Sequence, residues 1–499
     1  MGIVIRQSIK ATIVNYVGAF LGFVTTVFVM TRFLKPEEIG LTKVIYEVAA
    51  LVAGFAQLGT SASAMRFFPY FKNPEKNHNG FFFYLMLMPC IGSLIFVTLF
   101  WLLKAPVIEF FESKSALLVD YYNWIIPLVI FLVFWAVLET YANVLLRIVI
   151  PKFIREIGVR VVLLTVYLLY AFQFLNLNGL VTGVVLAYGM AMVASLVYVS
   201  RIASVSLKHD TTYIDRDLLV KIGKYTLFLV AAALSGNIIG QLDLFMVSSE
   251  LGLNYAGIYT ISFYMATVIE IPARSITAIA SPLAASALKD GHLNEANLLY
   301  KKVALHQFIA GSTLFLLIWI NIDTIFSVIP NGEVYRSGKW VVFFLAMSRL
   351  VSLTLSFGGS LISFSRYYYW GLYFTFFLTA LTIGFNYLLI PHFGINGAAM
   401  ATLITCLLSY SFQQWIVLKK IKGNPYSAGI FKQIGLILFL WGLNELLPYA
   451  GNPYADGVYR TVIIVSVWFF LTYYFKISAE FCALADKYVF HFFGNKNEK

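Results

Sequence analysis

Charged residues are scarce in this sequence of 499 residues: they make up 12% of the chain, whereas 60% is hydrophobic. Soluble domains carry about 25% charged residues, so this chain has too few charges to cover a surface that faces water. Cysteine is scarce as well, and Cys90, Cys406 and Cys482 have no spacing typical of a metal site or a redox pair. These absences exclude a soluble globular protein, and we interpret the cysteines as packing residues.

Long apolar runs fill most of the chain. A transmembrane helix needs about 20 mostly apolar residues, and lipid offers backbone groups no partner outside a helix or a closed barrel. The run at residues 341–362 is too long and too uniformly apolar for the alternating strands of a barrel. We therefore predict an all-α integral membrane protein with about 14 spans, near residues 11–33, 42–65, 81–103, 121–146, 154–175, 179–205, 225–249, 255–286, 303–329, 339–362, 367–390, 396–418, 430–448 and 458–476.

The basic residues indicate the orientation of these spans. Of the 36 Lys and Arg residues, 26 lie at the two termini and in the even-numbered connections, and 8 lie in the odd-numbered connections. Lys and Arg favour cytoplasmic loops, so we expect both termini in the cytoplasm. The formal net charge of +12 is then a topology signal, and we expect no nucleic-acid partner.

An internal repeat divides the chain. The motif GAFLG at residues 18–22 recurs as GNIIG at 236–240, Gly40 matches Gly257, and Asn-Gly at 178–179 recurs at 396–397. Short glycine motifs also recur by chance in apolar helices, which is the alternative explanation. The repeat predicts two six-helix lobes related by a pseudo-two-fold axis along the membrane normal. The predicted parts are an N-terminal lobe at 1–205, a cytoplasmic linker at 206–224, a C-terminal lobe at 225–420, and spans 13 and 14 with a cytoplasmic tail at 421–499.

Three motifs resemble those of a known superfamily. They are RFLKPEEIG at residues 32–40, IPARS at 271–275 and, above all, LIPHFGINGAAMAT at 389–402. They resemble the polysaccharide flippases of the MOP exporter superfamily, in the O-antigen and capsule branch, which is related to lipid II flippases and MATE transporters. The resemblance implies a bacterial inner-membrane protein that moves an undecaprenyl-pyrophosphate-linked oligosaccharide from the cytoplasmic to the periplasmic leaflet by alternating access, for surface polysaccharide or lipopolysaccharide biosynthesis. It also implies that spans 13 and 14 form a groove for the lipid tail.

This resemblance and the residues together define the expected partners. We expect a lipid-linked oligosaccharide and membrane lipid as partners, with polysaccharide polymerase machinery as a further one, and a monomeric chain without enzymatic activity. Two other transporter classes stay open, a MATE-type multidrug or cation antiporter and a lipid II flippase. A membrane glycosyltransferase or polymerase would need a large periplasmic loop, and the longest one predicted, about residues 103–120, is short.

Ionisable residues inside spans are costly and usually face a bundle interior or a wet cavity. Glu270 and Arg274 in span 8 are four residues apart, so they share a helix face and can form an ion pair. The resemblance implies that Arg274 and Arg32, at the outer end of span 1, instead face a cavity and meet the pyrophosphate. Arg349 in span 10 is a further candidate. Glu139 in span 4 is interpreted as a helix-packing residue.

The energy source is a separate question. The sequence has no Gly-rich ATP-binding loop, so we expect Na⁺ or H⁺ as a coupling ion and no other cofactor or structural metal. The resemblance to lipid II flippases implies a sodium site at five positions. Two of them, on span 11, are neutral here and depart from the acidic pattern, so a proton, no ion, or local hydrogen bonding of the carboxylate are alternatives. The five positions are Asp243, Thr382, Asn386, Ala398 and Thr402.

Overall fold

The computed structural model describes residues 2–73, 78–203 and 238–487, and in these ranges the only regular structure is helical. By length and apolar composition, eleven helical stretches are able to cross a membrane. The prediction of an all-α integral membrane protein is therefore confirmed. The eleven stretches are Ile13–Phe33, Pro36–Ala56, His78–Leu102, Tyr122–Val144, Leu177–Ile202, Leu253–Ala273, Leu293–Ile320, Gly332–Phe364, Trp370–Ile421, Ala428–Leu446 and Pro453–Tyr474.

These stretches account for twelve of the predicted spans, because Trp370–Ile421 contains both span 11 and span 12. The break between them lies at Gly394, which has a φ of 58° and a ψ of −138°. L-residues with a Cβ rarely adopt that conformation, so this glycine ends one span and starts the next.

Two predicted spans are not among the eleven. Span 5 is helical but carries Arg155, Glu156 and Arg160, and its helix includes a π-helical segment, Ile154–Gly158. Span 7 is described only from Ile238 to Glu250. The linker at 206–224 and the glycine at 236 lie outside the described residues. The total of fourteen spans stays a prediction.

The chain forms two compact units. Unit 1 consists of residues 1–261 and 379–398, and unit 2 of residues 262–378 and 399–499. Residues 238–261 and 379–398 thus belong by packing to unit 1, although the sequence repeat assigns them to the second lobe. Units defined by packing need not coincide with lobes defined by a sequence repeat, so the predicted lobe boundaries stay a prediction.

In unit 1, the helices are joined by short turns. The KPEE segment starts the helix Pro36–Ala56: proline occupies the first turn, and the Lys35 backbone N–H donates to Glu38 Oε2 at 2.9 Å. The helices are Gly2–Val24, Thr31–Phe33, Pro36–Ala56, Thr60–Phe71, Phe81–Leu102, Lys104–Glu112, Ala116–Asp120, Ile125–Val144, Val149–Phe153, Val159–Ala171, Leu177–Ile202, Ile238–Glu250 and Leu253–Thr267, with π-helical segments Thr25–Met30 and Ile154–Gly158 and a 3₁₀ turn, Tyr122–Trp124.

Two glycines that match in the sequence repeat also pack together. A Cβ added to Gly40 would collide with the backbone carbonyl of Leu253, and one added to Gly257 would collide with that of Pro36. The starts of the helices Pro36–Ala56 and Leu253–Thr267 therefore touch through their backbones, as small residues allow in membrane helices. The predicted two-fold relation itself stays a prediction.

In unit 2, spans 13 and 14 pack on the helix Leu293–Ile320. Ile309 and Leu316 of that helix share an apolar cluster with Leu440 and Ile464, and Gln433 Nε2 donates to Ser312 Oγ at 3.1 Å. The helices are Ile271–Lys289, Leu293–Ile320, Ile322–Val328, Gly332–Tyr335, Lys339–Leu355, Phe357–Phe364, Trp370–Ile416, Ala428–Leu446, Pro453–Tyr474 and Ala479–Ala485, with 3₁₀ turns Val268–Glu270 and Arg336–Gly338 and a π-helical segment, Val417–Ile421.

Candidate functional site

A buried carboxylate lies in the middle of unit 1. Asp243 is 1% exposed. Its Oδ1 accepts a hydrogen bond from Asn386 Nδ2 at 2.7 Å, and its Oδ2 accepts one from the Tyr259 hydroxyl at 3.0 Å. The structure thus brings together two predicted site residues that are 143 positions apart in the chain. These two bonds fix the orientation of the carboxylate.

Asn386 supplies a second oxygen at this site. The residue is fully buried, and its Oδ1 has no hydrogen-bond partner among the described residues. An amide can present either its nitrogen or its oxygen after a flip. A buried polar atom without a partner is costly, and an unsatisfied amide oxygen near a carboxylate is the kind of ligand that a hard cation prefers.

The other three predicted ligands are also buried. Thr382 precedes Asn386 by four residues on the same helix, so the two share a helix face, and Thr382 and Ala398 are fully buried. Thr402 is 4% exposed and belongs to unit 2. The other four predicted ligands all belong to unit 1, as residues that share one ion site must. They are Asp243, Thr382, Asn386 and Ala398.

Tyr259 is a site residue that sequence reasoning missed. Its hydroxyl is the second donor to Asp243, and the residue is 1% exposed. The chain contains 31 tyrosines, so one more in an apolar helix gave no signal. Its place in GIYTI at 257–261, two residues after the contact glycine, was the available clue.

An ion pair lies inside unit 2. Glu270 Oε1 and Arg349 Nη1 are 2.9 Å apart, and about a quarter of each side chain is exposed. The guanidinium carbon of Arg349 lies 5.1 Å from the ring centre of Phe263, within range of a cation–π interaction. The Nε of Arg349 is buried and has no hydrogen-bond partner among the described residues. The guanidinium thus keeps a free donor.

Glu270 has a partner on another helix that helical spacing did not indicate. It lies in the 3₁₀ turn Val268–Glu270, directly before the helix Ile271–Lys289 that contains Arg274, and it accepts a hydrogen bond from Arg349. The side chain of Arg274 lies outside the described part of the structure, so its pairing and its cavity role stay predictions.

Arg32 is exposed at the end of span 1. It follows the π-helical segment Thr25–Met30, and its guanidinium carbon lies 5.7 Å from the ring centre of the adjacent Phe33. Among the described residues no ion pair includes it. Both its interface-anchor role and its cavity role stay open on this geometry.

A second ion pair, in unit 1, was not anticipated as such. Glu139 Oε2 and Arg155 Nη2 are 2.5 Å apart, and Arg155 lies 5.4 Å from the ring centre of Trp135. In the same turn, Arg160 pairs with Glu156 at 3.0 Å and also donates to the carbonyl of Gly18. Three charges within IREIGVR, at 154–160, were the signal that marked this segment. The predicted packing role of Glu139 takes the form of an ion pair.

The comparisons with known proteins decide the family. A family model described as "Polysaccharide biosynthesis protein" matches residues 4–285. The chain belongs to this polysaccharide biosynthesis protein family. The predicted family resemblance is therefore confirmed. No curated protein sequence matches the chain significantly.

Several solved structures share the fold of this chain. The lipid II flippase MurJ in an inward closed conformation matches with a TM-score of 0.76 at 12% identity, covering 94% of this chain and 98% of that one. A multidrug MATE transporter of the MOP superfamily, inward-facing, matches at 0.57 and 15%, covering 82% and 95%. A MOP superfamily transporter from Pyrococcus furiosus matches at 0.55 and 15%, covering 85% and 96%. The chain is a multi-pass membrane protein with the fold of MOP superfamily transporters.

Proposed function

We propose that this protein is a flippase that moves an undecaprenyl-pyrophosphate-linked oligosaccharide from the cytoplasmic to the periplasmic leaflet of a bacterial inner membrane, for surface polysaccharide or lipopolysaccharide biosynthesis. The observation that carries the proposal is a polysaccharide biosynthesis family match on a chain that shares the lipid II flippase fold over 94% of its length. We propose that it works as a monomer with cytoplasmic termini and passes its product to polysaccharide polymerase machinery.

Arg349 supports an anionic substrate group. Guanidinium presents a planar fork of donors that fits the oxygens of a phosphate, and Arg349 has a buried Nε donor without a partner. Glu270 occupies one side of the fork, at 2.9 Å. Because the pair is partly exposed, a pyrophosphate can replace the carboxylate without exposing the cation to lipid. We assign Arg274 and Arg32 to the same anionic substrate group.

Loss of the protein tests this function directly. We expect deletion in the native host to stop export of one surface glycan and to cause its undecaprenyl-pyrophosphate-linked precursor to accumulate in the cytoplasmic leaflet. The accumulated lipid identifies the glycan by mass spectrometry. Normal surface glycan together with an unchanged pool of lipid-linked precursors would overturn the proposal.

We further propose that Asp243, Thr382, Asn386 and Ala398, all in unit 1, form the site of a coupling cation, Na⁺ or H⁺. The support is the fully buried Asp243–Asn386 hydrogen bond and the unpartnered amide oxygen beside it. Transport into proteoliposomes under separate sodium and proton gradients distinguishes the two ions. Equal transport without either gradient would exclude a coupling ion.

A MATE-type antiporter is the second candidate because MATE transporters share the fold, at a TM-score of 0.57. The likeness to the lipid II flippase is greater and covers more of the chain, 94% against 82%. A drug-sensitivity assay separates the two functions: raised drug tolerance on overexpression, with normal glycan export in the deletion strain, favours the antiporter. Rescue of cells that lack their lipid II flippase would instead favour lipid II as the substrate.

A further inference from the structure

Four exposed basic side chains lie where the two ends of the helix Trp370–Ile416 meet in unit 2. The helix starts beside Arg366 and Tyr367, turns back at Gly394, and ends in the π-helical segment Val417–Ile421. Trp370 at its start and Phe412 near its end have ring centres 6.3 Å apart. We call this cluster of exposed cations and rings the basic–aromatic patch; its residues are Arg366, Tyr367, Trp415, Lys419, Lys420 and Lys422.

The cations of the patch lie against aromatic rings. The guanidinium carbon of Arg366 is 4.9 Å, and Lys420 Nζ is 5.7 Å, from the ring centre of Tyr367. Lys419 Nζ is 5.1 Å from the ring centre of Trp415. Two cations thus share one ring, and a third lies against a neighbouring one.

No carboxylate neutralises the patch. None of the ion pairs between described residues includes Arg366, Lys419, Lys420 or Lys422. By contrast, Lys302 pairs with Glu480 at 2.8 Å and Lys339 with Asp323 at 2.7 Å in the same unit. A ring attracts a cation without carrying a negative charge, so the patch keeps its positive charge available to an anion.

The patch is held in place by the packing beneath it. Phe412 stacks on Trp415 with ring centres 6.1 Å apart and planes at 19°, and Tyr367 packs against the apolar cluster around Tyr300 and Phe357. Trp370 carries an indole N–H that is buried without a hydrogen-bond partner among the described residues. A fixed cluster loses less conformational entropy on binding than free lysine side chains do.

We propose that the basic–aromatic patch binds the headgroup of an anionic phospholipid. Tyr and Trp concentrate at the headgroup level of a membrane, and Lys and Arg extend along apolar surface to place their charge there. Arg366 Nη2 donates to the Tyr367 hydroxyl at 2.7 Å, but no described ion pair includes a cation of the patch, and a headgroup phosphate would supply the missing negative charge. The patch is separate from the Glu270–Arg349 pair and needs no assumption about the transported substrate.

Native mass spectrometry of the full-length protein tests the proposal. The protein in neutral detergent is titrated with phosphatidylglycerol and, separately, with phosphatidylcholine of the same acyl chains. We expect a preference of at least about tenfold for phosphatidylglycerol, since each cation near an anionic surface adds roughly fivefold. The variant Arg366→Gln/Lys419→Gln/Lys420→Gln should reduce that preference below about twofold, and added salt should weaken it in the wild type.

The matched control removes the same charge elsewhere. Lys114→Gln/Arg147→Gln/Lys289→Gln changes three exposed cations outside the patch and should keep the preference. Equal loss in both variants, or no loss in the patch variant, overturns the proposal. So does a patch variant that keeps the phosphatidylglycerol preference but loses binding of undecaprenyl pyrophosphate. Should the triple variant fail to fold, Lys419→Gln/Lys420→Gln, confined to the exposed end of a helix, is expected to lose most of the preference.

Discussion

The carboxylates inside the helical spans of the two compact units differ in their exposure and in their partners. In unit 1, Asp243 is 1% exposed and receives hydrogen bonds from two neutral donors. In unit 2, Glu270 is about a quarter exposed and is paired with Arg349. Unit 1 offers an incoming cation the oxygens of a carboxylate and an amide, whereas unit 2 offers an incoming anion a guanidinium. This contrast underlies our proposal of cation binding in unit 1 and anion binding in unit 2.

The largest effect is expected from breaking the pair in unit 2. Arg349→Gln removes the charged donor and leaves Glu270 without its partner, so we expect a loss of glycan export of roughly tenfold or more, as for other lost bonds to charged groups. Arg349→Lys keeps the charge but not the planar fork and should restore export only in part. The measurement is surface glycan per cell, normalised to protein in the membrane.

The control for this variant is another arginine that forms an ion pair. Arg336→Gln breaks an exposed pair with Asp323, at 3.1 Å, and should leave export within about twofold of wild type because exposed pairs contribute little. Normal export by a stably inserted Arg349→Gln protein would refute the anion-binding role of unit 2.

A smaller and more selective effect is expected from Asp243→Asn in unit 1. The change keeps the shape of the side chain and removes its charge, so we expect transport to lose its dependence on a sodium or proton gradient while binding of the lipid-linked glycan stays unchanged. Tyr259→Phe removes one neutral donor to Asp243 and should change the affinity for the ion by less than Asp243→Asn does. Gradient-driven transport in proteoliposomes is the measurement, and unaltered ion dependence in Asp243→Asn would remove the cation site from unit 1.

Two glycines on one helix of unit 1 should respond with opposite signs. Gly40→Ala places a methyl group against the backbone of Leu253 and should lower the thermal unfolding temperature. Gly54→Ala, on the same helix, meets nothing within 4 Å and should raise stability by about 0.5–1 kcal/mol, because alanine favours the helix. Thermal unfolding in detergent compares the two. Equal changes in both would mean that unit 1 does not depend on the Gly40–Leu253 contact.

The smallest effect is expected outside the spans, at Glu480. A hydrogen bond from Lys302 is the main cause that lowers the pKa of Glu480 from 4.5 to about 2. The link therefore stabilises the folded protein fully above pH 4.5 and is lost as the pH falls toward about 2. Because the pair is largely exposed, we expect an effect within the 0–1 kcal/mol of surface ion pairs. Glu480→Gln should make the unfolding temperature less dependent on pH between pH 5 and pH 3, by an amount that matches this small free energy. An unchanged slope of unfolding temperature against pH would contradict this.

Local sequence was sufficient for most of the spans. The predicted connection between spans 11 and 12, at residues 391–395, contains Gly394, whose positive φ makes the break. The thirteenth predicted span contains a charged residue, Glu445, and a helix, Ala428–Leu446, lies there. Arg460 secures the end of that helix, because it donates to the carbonyls of Asn444 and Leu447 and to Asp456. Glu445 is exposed in its last turn.

The sequence by itself determined the membrane class, most of the spans and the family, because hydropathy, turn chemistry and motifs are local properties of the chain. Only the tertiary structure decided that Glu270 pairs with Arg349, that Tyr259 completes the hydrogen bonds of Asp243, and that Glu139 holds Arg155. These partners are separated by 79, 16 and 16 positions and lie on different segments. Which of them meet depends on how the helices pack and where a 3₁₀ turn or π-helical segment rotates a side chain, and no local pattern encodes that.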